Sequence, residues 1–189
     1  MTIETQMTIS AVYPRVRVAR PSDLGYVKSL QRKFSNQLGF VPAIALEWYI
    51  EHFRCLLGVE NDEPAGYILG RPSMRYDRRI CGATQVAVPL DLQRSTIGTE
   101  LVEAYTFEAS QRPIEMMQCW CAGDIAAVGF WLAIGWLPVM SRQPKSARGR
   151  SMILYRKALI GCAVDRLTIP PPVAGFRAKK TGDTQLLLL

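Results

Sequence analysis

The 189-residue sequence predicts a mixed α/β domain built on one central, mostly antiparallel sheet with helices on both faces. Three observations predict it. Short strand-like runs such as "CLLGVE" and "RRICGATQVAV" alternate with segments of helical period such as "AIALEWYIEHF" and "IGTELVEAYTFEA". The composition, 49% hydrophobic and 21% charged, is that of a chain burying one core. No internal repeat is visible.

Taken in order, "VRVARPSD" is a short strand running into a turn, and Ser22 is placed to cap a helix whose apolar positions Leu24, Val27, Leu30 and Phe34 recur at helical spacing. After the break "QLGFVP", "AIALEWYIEHF" repeats that period, with Pro42 in its first turn. "CLLGVE" and "AGYILG" flank the turn "NDEP" and read as a hairpin. "RRICGATQVAV" is a longer strand, and "IGTELVEAYTFEA" is a helix with Ile97, Leu101 and Tyr105 at four-residue intervals. "IEMMQCWCA" is a strand on which Cys119 and Cys121 share one face. "DIAAVGFWLAI" is a helix capped by Asp124 and stopped by Gly135. "WLPVM" and "SMILYRKAL" close the sheet around the polar loop "SRQPKSARGR".

Bulk properties narrow the function classes. A net charge of +7 and a pI near 9.4 favour acidic partners, among them phosphorylated cofactors, nucleic acid or a membrane surface. Nucleic acid is disfavoured because no basic helix or aromatic-plus-basic strand accompanies the charge. The start "MTIETQMTISAVYP" lacks the basic and apolar regions of a secretory signal, and no segment reaches the roughly 18 apolar residues of a spanning helix. A soluble, cytoplasmic protein with no membrane partner is expected. Five cysteines without framework spacing fit a reducing compartment, and no metal site is expected. His52, Trp48, Tyr49 and Phe130 read as packing residues.

The stretch "VPLDLQRSTIGTELV" carries the functional signal. Where Gln93 to Thr99 lead into a helix, several backbone N–H groups lack intrahelical partners and the helix dipole adds positive potential. A diphosphate is the natural occupant. Gly98 permits close backbone approach, while Arg94, Ser95, Thr96 and Thr99 offer further donors. The loop is neither a nucleotide-hydrolase phosphate loop nor a dinucleotide fingerprint.

With the order of elements, "VAVPLDLQRSTIGTELV" and "AGDIAAVGFWLAIGW" resemble the GCN5-related N-acetyltransferases, which bind acetyl coenzyme A. In the family's Q/R-x-x-G-x-G/A signature, Gln93, Thr96 and Gly98 take the fixed positions. In its N-x-x-A-x-x-F-Y-x-x-x-G-F pattern, Asp124, Ala127, Phe130, Trp131, Gly135 and Trp136 do so. The resemblance covers about Val16 to Leu159. It implies a sheet splayed between its fourth and fifth strands, with the thioester and pantetheine amides along Gln85 to Val88 and Met117 to Ala122. Implied cofactor contacts are Val86, Ala87 and Val88, then Gln93, Arg94, Ser95, Thr96, Ile97, Gly98 and Thr99, then Asp124 and Trp131.

Three positions depart from the pattern: Thr96 replaces a glycine, Asp124 an asparagine and Trp131 a tyrosine. The tyrosine often protonates the departing thiolate, and an indole N–H is no acid near neutral pH. The catalytic candidates that remain are Cys121, as weak acid or nucleophile, and Gln85, as the polar group able to position a water. Cys121 also reads as a small buried hydrophobe. Two functions are therefore expected to compete. One is an acyl-CoA-dependent N-acyltransferase acting on an amine of a small molecule or protein by direct attack. The other is a catalytically weak or inactive copy of the fold serving as a binding or structural subunit.

Domain organisation is read as an N-terminal extension, 1–15, an acetyltransferase-like domain, 16–159, and a C-terminal tail, 160–189. Pro170, Pro171 and Pro172 stiffen the tail, and Leu186 to Leu189 end it with apolar side chains, so it is expected to reach a partner or a second copy of the chain in an oligomer.

Overall fold

The computed structural model describes residues 9–144 and 149–159. The expectation attached to the tail from 160 onward lies outside these residues. The chain folds as β1 (Val16–Val18), α1 (Leu24–Lys33), α2 (Ser35–Leu38), α3 (Ala43–Glu51), β2 (Cys55–Glu60), β3 (Glu63–Arg71), β4 (Ile80–Ala87), α4 (Ile97–Ser110), β5 (Met116–Ala122), α5 (Ala127–Ala133), β6 (Leu137–Arg142) and β7 (Met152–Ala158). The strands form a mixed, mostly antiparallel sheet in the order β1-β2-β3-β4-β5-β7-β6. Among the described residues the chain divides into two compact units, one of residues 9–72 and 83–112, the other of 73–82, 113–144 and 149–159.

In the first unit, alternation along β2 and β3 sorts the core into two layers. Cys55, Leu57, Tyr67 and Leu69 point to one face and pack with Val27 and Leu30 of α1 and Leu46, Tyr49 and Ile50 of α3. Gly58, Gly66 and Gly70 lie on the opposite face, where α4 sits. A Cβ at Gly58 would come 2.6 Å from Ile97, and one at Gly70 would come 2.0 Å from Tyr105. Side chains are missing where the helix must approach, so α4 rests directly on the strand backbones. Asn61 and Asp62 turn the β2–β3 hairpin with φ values of 49° and 65°, the left-handed pair that a two-residue hairpin favours.

Helix starts differ from expectation at two places. Ser22 lies within a 3₁₀ turn, Pro21–Asp23, and α1 begins at Leu24. Asp23 organises that corner: its carboxylate accepts from both terminal nitrogens of Arg17, at 2.7 and 2.9 Å, and from the Arg20 amide at 2.7 Å. A doubly held carboxylate outcompetes a hydroxyl cap. In the second unit α5 begins at Ala127 rather than at Asp124. Its stop is as expected, with Gly135 at φ 77° just past the last turn. A further short helix, Ser35–Leu38, separates the two expected at the N-terminal end.

Residues 9–15 pack on the first unit. Ile9 is fully buried, and the Tyr13 ring stands edge-on to Phe107 of α4 at 6.3 Å. In the second unit β7 pairs antiparallel with β5 on one side and β6 on the other. Among the described residues, no helix is long and apolar enough to cross a membrane.

Candidate active site

β4 ends at Ala87, whose side chain belongs to the core, and the chain continues through Val88 and a 3₁₀ turn at Leu90–Leu92 into the segment Gln93–Thr96. The Gln93 side chain donates back to the Val88 carbonyl at 3.4 Å, and the Ser95 hydroxyl donates to the Leu92 carbonyl at 2.6 Å. Arg94 and Thr96 both take the left-handed backbone conformation, at φ 72° and 70°. For a β-branched residue that conformation costs about 1–2 kcal/mol, which a glycine at this position would avoid.

The 14-residue helix α4 then begins at Ile97 with no side-chain cap. The amides of Thr96, Ile97, Gly98 and Thr99 make no backbone hydrogen bond among the described residues, and the first intrahelical pairing is Glu100 to Thr96. Four unpaired donors at the positive end of a helix dipole are the requirement for holding an anion. Arg94, exposed beside them, adds a positive charge. These features fit the diphosphate of coenzyme A.

Arg15 supports this turn from the strand edge beside β1. It donates to the Ser95 carbonyl at 3.2 Å, to the Thr96 hydroxyl at 2.5 Å, to Glu60 at 2.8 Å and to both oxygens of Glu100. The Thr96 hydroxyl also reaches Glu100, at 3.0 Å. The Arg15 guanidinium beside Glu100 holds that carboxyl below the usual range, and Glu100 and Glu60 push the Arg15 pKa up. No local signal announces Arg15, because its partners in the turn lie 80 or more residues away.

Gln85 is 4% exposed on β4, and the protein uses its whole hydrogen-bonding capacity. Its oxygen accepts from Gln31 at 3.3 Å and from the Tyr67 hydroxyl at 3.1 Å. Its amide donates to the carbonyls of Leu38 and Gly39 at 3.3 and 3.1 Å. With two lone pairs and two N–H groups engaged, it ties the segment after α2 to the sheet and keeps no position open for a water.

Three of the sequence candidates lie together in the second unit. Cys121 is 5% exposed on β5; burial pushes its thiol pKa up, while a hydrogen bond with Trp131 and the charge of Arg150 pull it part of the way back. The thiol donates to the Ala122 carbonyl at 3.4 Å. Trp131 is buried, 4.8 Å from the Trp136 ring and 5.2 Å from Phe130. Asp124 is exposed and takes a bidentate pairing from Arg150, at 2.6 and 2.9 Å to one oxygen and 3.1 Å to the other. Arg150 keeps its carboxyl below the usual range and neutralises it. That pairing explains why Asp124 does not cap α5, and the sequence gives no local sign of it.

The Acetyltransferase (GNAT) family is matched by residues 26–136. No curated protein sequence matches the chain. Among solved structures, the ribosomal-protein-alanine N-acetyltransferase from Brucella melitensis shares 17% identity and a TM-score of 0.65 over 76% of this chain and 99% of that one. The yncA protein from Salmonella typhimurium, solved with acetyl-CoA, shares 16% identity and a TM-score of 0.65 over 78% and 95%. N-acetylglutamate synthase from Neisseria gonorrhoeae, solved with coenzyme A and N-acetylglutamate, shares 14% identity and a TM-score of 0.63 over 76% of this chain and 34% of that one. At such identities the likeness is one of fold.

Proposed function

Because the chain belongs to the GNAT acetyltransferase family, matched over more than half its length, we propose that it transfers acetyl from acetyl-CoA to an amine by direct attack within a ternary complex. When bound, acetyl-CoA supplies an acetyl carbon activated as a thioester, and the acceptor nitrogen takes the place of the sulfur. The observation that carries the proposal is the N-terminus of α4, where four unpaired amides follow a left-handed turn. The amides from Thr96 to Thr99 hold the diphosphate, with Gln93 and Ser95 shaping the turn and Arg94 at its rim. Val86, Ala87 and Val88 offer backbone groups to the pantetheine arm.

Three side chains bear on where the protons go. Trp131 has no ionisable proton near neutral pH and spends its hydrogen bond on Cys121. Gln85 is saturated. Cys121 is held as a thiol, which disfavours it as a nucleophile. This supports a direct exchange in which the departing thiolate gains the proton that the acceptor amine loses. The inactive-subunit alternative rested on Thr96, Trp131 and the missing base; Thr96 has its left-handed turn supported, and direct attack needs no tyrosine. The cytoplasm is the proposed compartment, in keeping with the buried thiols of Cys55, Cys119 and Cys121.

Calorimetry with acetyl-CoA followed by thioester loss with a panel of amines tests the proposal. Wild-type protein is expected to bind and turn over, while Gly98→Val crowds the anion seat and raises Kd at least about tenfold, or about 1.4 kcal/mol. A folded Gly98→Val protein that binds equally well would place the cofactor elsewhere, and binding without turnover on any amine would favour the inactive subunit.

A further inference from the structure

We propose that Arg15 is a positioning residue for cofactor binding, holding Thr96 in the left-handed turn that presents the α4 amides. Its place rests on the diphosphate site proposed above, to which it adds a specific dependence. Where a glycine would adopt the turn freely, this chain has a β-branched residue at φ 70°. Something must hold it there. The Arg15 guanidinium meets both the Ser95 carbonyl and the Thr96 hydroxyl, at 3.2 and 2.5 Å, so it grips the turn on its backbone and on its side chain.

The guanidinium is itself fixed. Glu60, at the end of β2, takes one terminal nitrogen at 2.8 Å, and Glu100, in the first turn of α4, takes the other terminal nitrogen and Nε. The Arg15 backbone is pinned too, its carbonyl accepting from Val59 at 2.8 Å. One planar fork thus links β1, β2, the turn and α4, a task for which a lysine's point charge has the wrong shape. Arg15 has a second consequence. Glu100 stands one residue beyond the anion-holding amides, where its charge would repel a diphosphate, and the ion pair cancels it.

Steady-state kinetics on the full chain test the role through a double-mutant cycle. Arg15→Met is expected to raise KM for acetyl-CoA about tenfold, equivalent to about 1.4 kcal/mol, with kcat held within about twofold. Arg15→Lys should fall between. The distinctive readout is rescue: in Arg15→Met/Thr96→Gly the turn no longer needs holding, and part of the lost KM should return, the remainder belonging to the uncancelled charge of Glu100, with Thr96→Gly alone closing the cycle. If Arg15→Met fails to fold, Thr96→Val removes the gripped hydroxyl while keeping the β-branch, and the same rise in KM is expected. An unchanged KM in folded Arg15→Met, or a rise that glycine at 96 does not relieve, overturns the role. Gly98→Val separates the two layers: if it raises KM and Arg15→Met does not, the diphosphate site stands and only the clamp falls; if neither does, both fall.

Discussion

Cys121 and Asp23 show how one side chain's surroundings decide its chemistry. Cys121 is buried, and burial raises its pKa, against the pull of a hydrogen bond with Trp131, so that it stays a thiol at neutral pH. The proposed direct attack gives it no part in the chemistry, so Cys121→Ala is expected to keep most of the turnover. Were the sulfur the acid or nucleophile, turnover would fall by about 10²–10⁴-fold, which single-turnover assays on a folded variant would reveal. Asp23 is the opposite case, a carboxylate 7% exposed and held ionised by Arg17 and the Arg20 amide. Its folded-state pKa is depressed, chiefly by Arg17, so its contribution is fully present above the unfolded value of about 4 and is lost as pH falls through the lower folded value. Asp23→Asn should cost about 1.5–3 kcal/mol in urea unfolding at pH 7, a gap that narrows below about pH 4. A gap that stays constant on acidification would show that the charge is not its source.

At the scale of elements, the site depends on how close α4 comes to the sheet. The three glycines facing it, Gly58, Gly66 and Gly70, remove the side chains that would hold the helix off, and Tyr105 occupies the space over Gly70 with two ring carbons at 2.0 and 2.2 Å and its hydroxyl at 2.3 Å from where a Cβ would be. Gly70→Ala must therefore displace a buried ring or the helix carrying it, and a loss of about 1–3 kcal/mol in thermal unfolding is expected. Because the amides proposed to hold the diphosphate start the same helix, the variant should also weaken acetyl-CoA binding. Unaltered stability would mean that α4 adjusts freely. The glycines are visible in "CLLGVE" and "AGYILG", yet strand propensity alone reads them as weak points rather than as a seat for a helix.

Across the full chain, local sequence signals suffice for the strands, the principal helices, the α/β class and the family. These rest on signals spanning a few residues: the short apolar run "CLLGVE" bounded by a turn, period 3.6 along "IGTELVEAYTFEA", the Asn61–Asp62 turn, and Gln93, Thr96 and Gly98 in fixed spacing. The unpaired amides at the start of α4 were legible for the same reason, since any helix start leaves them. Which polar side chains remain available for work depends on contacts made in the folded chain. Gln85 looked open as the polar group of its strand, but Gln31 and Tyr67, 54 and 18 residues away, fill its oxygen. Asp124 looked like a helix cap, but Arg150, 26 residues on, takes its carboxylate. Arg15 carried no signal at all, being joined to Thr96 across 81 residues. Side-chain hydrogen bonds form where the folded backbone brings partners within about 3 Å, and neither period nor spacing along the chain encodes that distance.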